Sequence, residues 1–195
     1  MIARALQMFS GPMRLPLWVH ICLTAMVVVG FRFIEAQLSA LYEASRHPVD
    51  FMTGQTGFDA TLVKGYYAHM DAFDTLPIYV QTQRFDFAFI AAMVAMGVLF
   101  GTLVARLSLP DTLGRALGLL GGAIIVFGAL MDAAENVVSF VMLANPQNFA
   151  DWLAQVYSSF AVTKFASITL GMALLVTGFV LGAIGLVRDI FTRKT

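Results

Sequence analysis

Four apolar runs, each long enough to cross a lipid bilayer, constrain the fold of this chain more than any other feature. They cover about residues 16–37, 85–107, 113–143 and 153–187. A helix of roughly 20 apolar residues crosses the hydrocarbon core, where every backbone hydrogen bond must be satisfied within the protein. The pattern therefore predicts an all-α polytopic membrane protein. We expect a four-transmembrane-helix bundle that makes up one transmembrane domain, residues 1–195.

The composition agrees with a membrane protein and excludes several other classes. The chain is 59% hydrophobic and 12% charged, whereas soluble domains carry about 25% charged residues. A formal net charge of zero argues against a nucleic-acid partner, and membrane lipid is the partner we expect. Cys22 is the only cysteine, so neither an intrachain disulfide nor a Cys/His metal site is predicted. We expect no cofactor and no metal.

The distribution of basic residues predicts the orientation in a bacterial inner (plasma) membrane. Arg4 and Arg14 precede the first apolar run as in a secretory signal, but no small-x-small cleavage site follows, so we interpret this run as a retained first span. Basic residues concentrate in the short flanks on one side of the spans: Arg4, Arg14, Arg106, Arg115, Arg188, Arg193 and Lys194. On the other side they are diluted over the insert 38–84. Both termini are therefore predicted to be cytoplasmic and the insert extracytoplasmic.

Within the insert, apolar residues at helical spacing predict a short amphipathic helix across the outer mouth of the bundle. The residues at this spacing are Phe58, Leu62, Tyr66 and Met70. A further helix is predicted to start near Asp74 and Pro77 and to run into the second span. The sequence leaves open whether the helix at 58–70 is a functional lid or part of a solvated surface hairpin.

The third span carries a polar stripe in the segment LMDAAENVVSF. Its members lie three, four and seven residues apart, which places them on one face of a helix: Asp132, Glu135, Asn136 and Ser139. A charged side chain near the bilayer centre costs about 2.5–3.5 kcal/mol on insertion scales. We therefore expect this face to point into the bundle.

Other spans bring charged groups to a similar depth. Asp132 lies roughly 22 Å from the cytoplasmic start of its helix, at about 1.5 Å per residue, and Lys164 reaches the same outer half from the opposite direction. The candidate ligand-binding or proton-binding residues are Asp132, Glu135, Asn136, Lys164, Asp86, Arg32, Glu35, Ser139 and Ser167. Four carboxyl groups oppose two basic groups in this set. We expect Asp132 or Glu135 to hold a proton or to meet a cation.

Glycines in the cytoplasmic halves of the spans predict close helix packing. They are Gly97, Gly101, Gly118, Gly122, Gly178, Gly182 and Gly185. The same glycine faces are candidates for contacts with a second copy of the chain or with a larger membrane complex. His20, which lacks a second intramembrane histidine, is interpreted as a hydrogen-bonded packing residue.

The polar positions resemble those of a group of uncharacterised four-span bacterial membrane proteins. In that group an Asp opens the second span, Asp-x-x-Glu-Asn lies in the third, and a Lys lies in the fourth. The matching residues here are Asp86, Asp132, Glu135, Asn136 and Lys164, and the likeness covers about residues 57–185. The resemblance implies the same constellation and brings no activity with it.

Three functions fit these observations. The first is a protein that binds or moves a lipidic or small amphipathic ligand, or a proton. The second is an intramembrane enzyme that uses a carboxyl group and Lys164 as an acid–base pair. The third is an accessory or assembly subunit whose ion-pair network has a structural role alone. The sequence does not decide whether the protein is an enzyme.

Overall fold

A computed structural model of the chain describes residues 9–192. Over these residues the protein is helical, with no β-strand, and four of its helices are long and apolar enough to cross a membrane. The predicted all-α polytopic class is confirmed. Residues 9–14 are helical, and the helices after them are α1 (Leu17–Ala44), α2 (Phe51–Gln55), α3 (Ala60–Ala72), α4 (Leu76–Arg106), α5 (Leu113–Leu143) and α6 (Trp152–Thr192).

Three of the four long helices, α1, α4 and α6, extend beyond the apolar runs that predict them. Helix α1 continues past residue 37 to Ala44, and α4 begins at Leu76 rather than at residue 85, so the connection between them is residues 45–75. An apolar window finds the part of a helix that suits hydrocarbon, whereas a helix continues until its backbone is capped. Three basic residues used in the orientation prediction, Arg4, Arg193 and Lys194, lie outside the described residues.

Local side-chain contacts set the starts of the helices in this connection. Asp50 and Asp59 are the N-caps of α2 and α3, and each carboxylate accepts a hydrogen bond from a backbone N–H of the first turn. Such caps satisfy donors that have no partner within the helix. Before α4, the hydroxyl of Thr75 donates to the carbonyl oxygen of Ser45 at 2.6 Å. The end of α1 and the start of α4 are thereby tied together.

Helix α3 is present as predicted, but it buries a different face. Its buried residues are Ala60, Val63, Tyr67 and Met70, whereas Phe58 and Leu62 are exposed and Tyr66 is half-buried. Two neighbouring apolar stripes run along this helix, and periodicity alone does not choose between them. The stripe that starts with the small residue Ala60 packs against the core.

The contacts of the chain divide it into two compact units. The first consists of the described parts of Met1–Gly30, Ala92–Phe127 and Ser167–Thr195. Close backbone approach dominates this unit: a Cβ added to Gly101 would lie 2.9 Å from the Gly118 carbonyl oxygen and from the Gly122 Cα. Similar approaches involve Gly97, Gly114, Gly121, Gly171 and Gly178. The predicted glycine faces are thus occupied within the chain, except at Gly185, where an added Cβ would meet only a side-chain atom of Leu109 at 3.9 Å.

His20 also lies in the first unit and is fully buried. Its Nε2 is 3.1 Å from the Leu99 carbonyl oxygen and 3.2 Å from the Thr102 hydroxyl, and its Nδ1 is 3.3 Å from a guanidinium nitrogen of Arg106. Both ring nitrogens therefore have partners. The interpretation of His20 as a hydrogen-bonded packing residue is confirmed.

The second unit consists of Phe31–Ala91 and Gly128–Ala166. Its buried apolar core joins α3, α4, α5 and α6 through Ala60, Val63, Tyr67, Met70, Tyr79, Met142, Phe149, Ala154 and Tyr157. Tyr67, Tyr79 and Tyr157 of this core interact with the polar residues described next.

Candidate functional site

The polar stripe of the third span is buried within the second unit. Asp132 is 4% exposed, and Glu135, Asn136 and Ser139 are each 0% exposed. The opposite face of α5 is exposed at Leu130, Val137 and Val141. The prediction that the stripe points inward is confirmed, because helical spacing separates a polar face from an apolar one.

Lys164 of α6 pairs with both carboxylates of the stripe. Its Nζ lies 2.8 Å from Oδ1 of Asp132 and 2.5 Å from Oε2 of Glu135. The same ammonium donates to the Gln55 side-chain oxygen at 3.1 Å, and it lies 4.8 Å from the centre of the Phe165 ring. The ammonium therefore donates hydrogen bonds to Asp132 and Gln55, while its contact with Glu135 is an ion pair without an aligned hydrogen bond.

Asp86 joins the cluster through an amide of the stripe. The Asn136 Nδ2 donates a 2.6 Å hydrogen bond to Oδ2 of Asp86. Asp86 is half-buried, unlike the fully buried Glu135. Of the three carboxyl groups in the cluster, Asp86 is the one with most access to the surroundings.

Arg32 and Glu35 are not brought into this cluster, contrary to the prediction. They pair with each other at 2.5 Å, and their side chains are 73% and 40% exposed. Three residues apart on one helix, they satisfy each other at the surface. Ser167, one turn beyond Lys164, belongs to the first unit and is half-buried.

The cluster in the second unit therefore carries an excess of acid. Asp86, Asp132 and Glu135 oppose the single ammonium of Lys164, which gives a formal balance of minus two. Removing the Arg32–Glu35 pair from the count leaves this balance unchanged, because that pair is neutral. Buried charges are costly unless they are paired, so the imbalance requires compensation.

Three buried tyrosines interact with the acidic stripe, and the sequence interpretation placed none of them in the site. The Tyr67 hydroxyl is within hydrogen-bonding reach of Ser139, and the hydroxyls of Tyr79 and Tyr157 interact with each other. All three tyrosines interact electrostatically with Glu135. Burial raises the pKa of Tyr67 above its usual 10, and the charge of Glu135 adds to this effect. Tyr67 is therefore a neutral phenol at physiological pH.

Several buried oxygens of the stripe lack an aligned hydrogen-bond partner among the described residues. They are both carboxyl oxygens of Glu135, Oδ1 of Asn136 and Oγ of Ser139; the hydroxyl of Tyr67, on α3, also lacks an aligned partner. Buried polar atoms without partners are rare in native proteins and each requires an explanation. Here they lie next to the excess negative charge.

The segment 51–58 covers Lys164 by contacts with α6 at both ends and in the middle. The rings of Phe51 and Phe165 lie 6.2 Å apart, Gln55 accepts from Lys164, and the Phe58 N–H donates to the Ser158 hydroxyl at 3.1 Å. Phe58 has a φ of 53°, an uncommon conformation for a bulky residue. Gln55 was not predicted as a site residue, because this contact joins residues 109 positions apart in sequence.

No family model, curated protein or solved structure matches the chain. The resemblance to four-span bacterial membrane proteins therefore stays a prediction. Within residues 9–192, no group of three or more His, Cys, Asp or Glu side chains is placed to hold a metal ion. The arrangement combines an excess of carboxyl groups with buried oxygen acceptors.

Proposed function

We propose that this protein binds and moves protons across the bacterial inner membrane, using the carboxyl cluster Asp86, Asp132 and Glu135 with Lys164. Both termini are cytoplasmic in this proposal, and residues 45–75 are extracytoplasmic. The asymmetry of Lys and Arg in the flanks supports this orientation. The cluster then lies in the outer half of the membrane.

The observation that carries the proposal is the grouping of three carboxyl groups, two buried and one half-buried, around one ammonium. A proton on one carboxyl removes a charge without requiring space, whereas a lipidic or amphipathic ligand must reach atoms that the protein already covers. The side chains of Asp132 and Glu135 are 6% and 0% exposed. Among the ligands that the sequence allows, the proton fits this burial best.

The geometry favours distinct roles for the three carboxyl groups. Asp132 accepts directly from Lys164 and balances its charge. Glu135 has one oxygen near the ammonium and a second oxygen without a partner among the described residues, so it is the carboxyl that carries the proton. Asp86 exchanges protons with the surroundings, since its side chain is the most exposed of the three carboxyl side chains.

Proton movement is tested with the purified protein in liposomes that contain a pH-sensitive dye. A potassium diffusion potential drives protons inward, and we expect the wild-type protein to acidify the lumen. Glu135→Gln should abolish this acidification. The matched control is Glu35→Gln, which makes the same chemical change at an exposed ion pair and should leave the rate unchanged. Wild-type protein that moves no more protons than empty liposomes would refute the proposal.

A structural role of the network is the main competing function, because Lys164 forms buried ion pairs with both Asp132 and Glu135. Buried ion pairs can fix how helices pack without binding any ligand. In that case Glu135→Gln would change stability, and neither variant would differ from empty liposomes in proton movement. The same liposome experiment therefore separates the two functions.

A further inference from the structure

Helix α1 carries an ion pair at a largely exposed surface of a predicted span. Arg32 and Glu35 pair with each other at 2.5 Å, and their side chains are 73% and 40% exposed, whereas Lys164 of α6 is buried. Arg32 lies about 22 Å along α1 from Leu17, since each residue of a helix adds about 1.5 Å. Charges at this depth in a bilayer are costly and are normally shielded from lipid. The exposed pair therefore requires a partner.

The pair lies on and beside an exposed stripe that runs along α1. Residues at alternating spacings of three and four share one side of a helix. From residue 22 to residue 39, every residue at this spacing is exposed, and we call these residues the α1 stripe: Cys22, Ala25, Val29, Arg32, Ala36 and Ser39. The two buried residues of α1, His20 and Thr24, lie on the opposite side of the helix. Helix α1 is also the least buried of the four long helices.

The chemistry of the α1 stripe fits a second copy of the chain. In a two-fold dimer the same face of both copies meets, so each contact between two positions is made twice. The guanidinium of Arg32 can then pair with the Glu35 carboxylate of the second copy, and the reverse, and the four groups together are neutral. Alternating spacings of three and four keep two helices in contact along their length. A lipid acyl chain, in contrast, offers the pair no opposite charge.

We infer that the α1 stripe is a homodimer interface within the membrane, in which the Arg32–Glu35 pairs of two copies contact each other. Association removes both pairs from contact with lipid, and the small side chains of Ala25 and Ala36 allow the two helices to approach closely. This inference does not depend on the proposed function, because the carboxyl cluster and its lysine belong to a single chain.

Oxidative cross-linking of Cys22 tests the interface with the full-length protein in liposomes at low protein density. The Cα atoms of two disulfide-bonded cysteines lie about 4.4–6.8 Å apart, so copper phenanthroline should link wild-type protein into dimers. The matched control is Leu23→Cys in a Cys22→Ser background. Leu23 is exposed as well but points about 100° away around the helix axis, and this variant should give at most a trace of dimer. Equal yields from both proteins would indicate random collision and would overturn the inference.

A larger side chain on the stripe tests the same interface without a cysteine. Ala36 is exposed within the chain, so Ala36→Leu should leave the fold intact and should obstruct only the approach of a second copy. Single-molecule photobleaching of labelled protein, over a range of protein-to-lipid ratios, measures the density at which half of the protein is dimeric. Ala36→Leu should raise this density about tenfold through overpacking. Ala173→Leu, the same change at an exposed position of α6, should not; equal densities for the two variants would overturn the inference.

The contribution of the charges is measured in the same assay. Arg32→Gln combined with Glu35→Gln removes the charges that association shields from lipid, so the half-dimerisation density should rise about tenfold. A double variant that dimerises like the wild type would contradict the contact between the two ion pairs. Wild-type protein that stays monomeric at every density would overturn the inference and would indicate that lipid headgroups shield the pair.

Discussion

Lys164→Met should destabilise the protein far more than Lys64→Met, although the two lysines make similar local contacts. Lys164 lies 2.8 Å from Asp132 and 4.8 Å from a phenylalanine ring centre. Lys64 lies 2.6 Å from Asp151 and 4.9 Å from another such centre. Burial separates them, since the Lys164 and Lys64 side chains are 5% and 26% exposed.

The size of the difference follows from what each substitution leaves behind. Without Lys164, Asp132 and Glu135 lose their shared cation, and breaking a buried pair in this way costs about 3–5 kcal/mol. Without Lys64, Asp151 is left 80% exposed to the surroundings, and a pair of this kind contributes about 0–1 kcal/mol. We therefore expect the free energies of unfolding of the two variants to differ by at least about 2 kcal/mol.

Denaturant unfolding in one detergent, followed by helical circular dichroism, measures this difference. Glu135→Gln in the Lys164→Met background should recover part of the loss, because it lowers the excess negative charge. If both lysine variants lose the same stability within about 0.5 kcal/mol, the usual range for surface substitutions, the buried ion pair does not have the energetic role assigned to it.

Three further predictions concern other parts of the chain. Gly101→Ala should destabilise the protein by about 1–3 kcal/mol through overpacking. Gly30→Ala, whose Cβ would meet no atom within 4 Å, should be neutral or stabilising by up to about 1 kcal/mol. Thermal unfolding measures both variants, and equal effects would contradict the close helix packing at Gly101. Burial lowers the pKa of His47 below its usual 6.5, so its neutral form stabilises the fold above that pH and this contribution is lost as the pH falls below it. Unfolding measured as a function of pH should therefore show a smaller acid-induced loss in His47→Gln than in the wild type or in His69→Gln, and unchanged pH dependence would refute this. In a Cys22→Ser background, a membrane-impermeant maleimide should label Asp71→Cys in intact cells and Pro110→Cys only after lysis, and the reverse pattern would invert the proposed topology.

The four-span architecture was predictable because lipid leaves the backbone few alternatives. The bounds of α5 coincide with the predicted run 113–143, since turn-forming sequences lie at both ends of it. The bounds of α1 and α4 extend into the polar insert, where propensity and caps, rather than hydropathy, determine the ends.

The depth of the site residues along the helix axes was predictable, but the helix face on which they lie was predictable only for α5. Residue counting places Asp132 and Lys164 at one depth, and spacing within α5 places its polar residues on one face. For α1 the sequence gives no equivalent stripe, so Arg32 and Glu35 were assigned to the interior by depth alone and lie at the surface. Gln55 and Tyr67 contact the cluster from the insert, and such long-range contacts leave no local pattern.

Infrared difference spectroscopy of the carboxyl groups tests most directly whether the excess buried acid holds a proton. The spectrum of wild-type protein in a bilayer at neutral pH should contain a protonated-carboxyl band that shifts in D₂O. We expect this band to disappear in Glu135→Gln and to persist in Glu35→Gln. A wild-type spectrum without the band, or a band that survives in both Glu135→Gln and Asp132→Asn, would contradict the account.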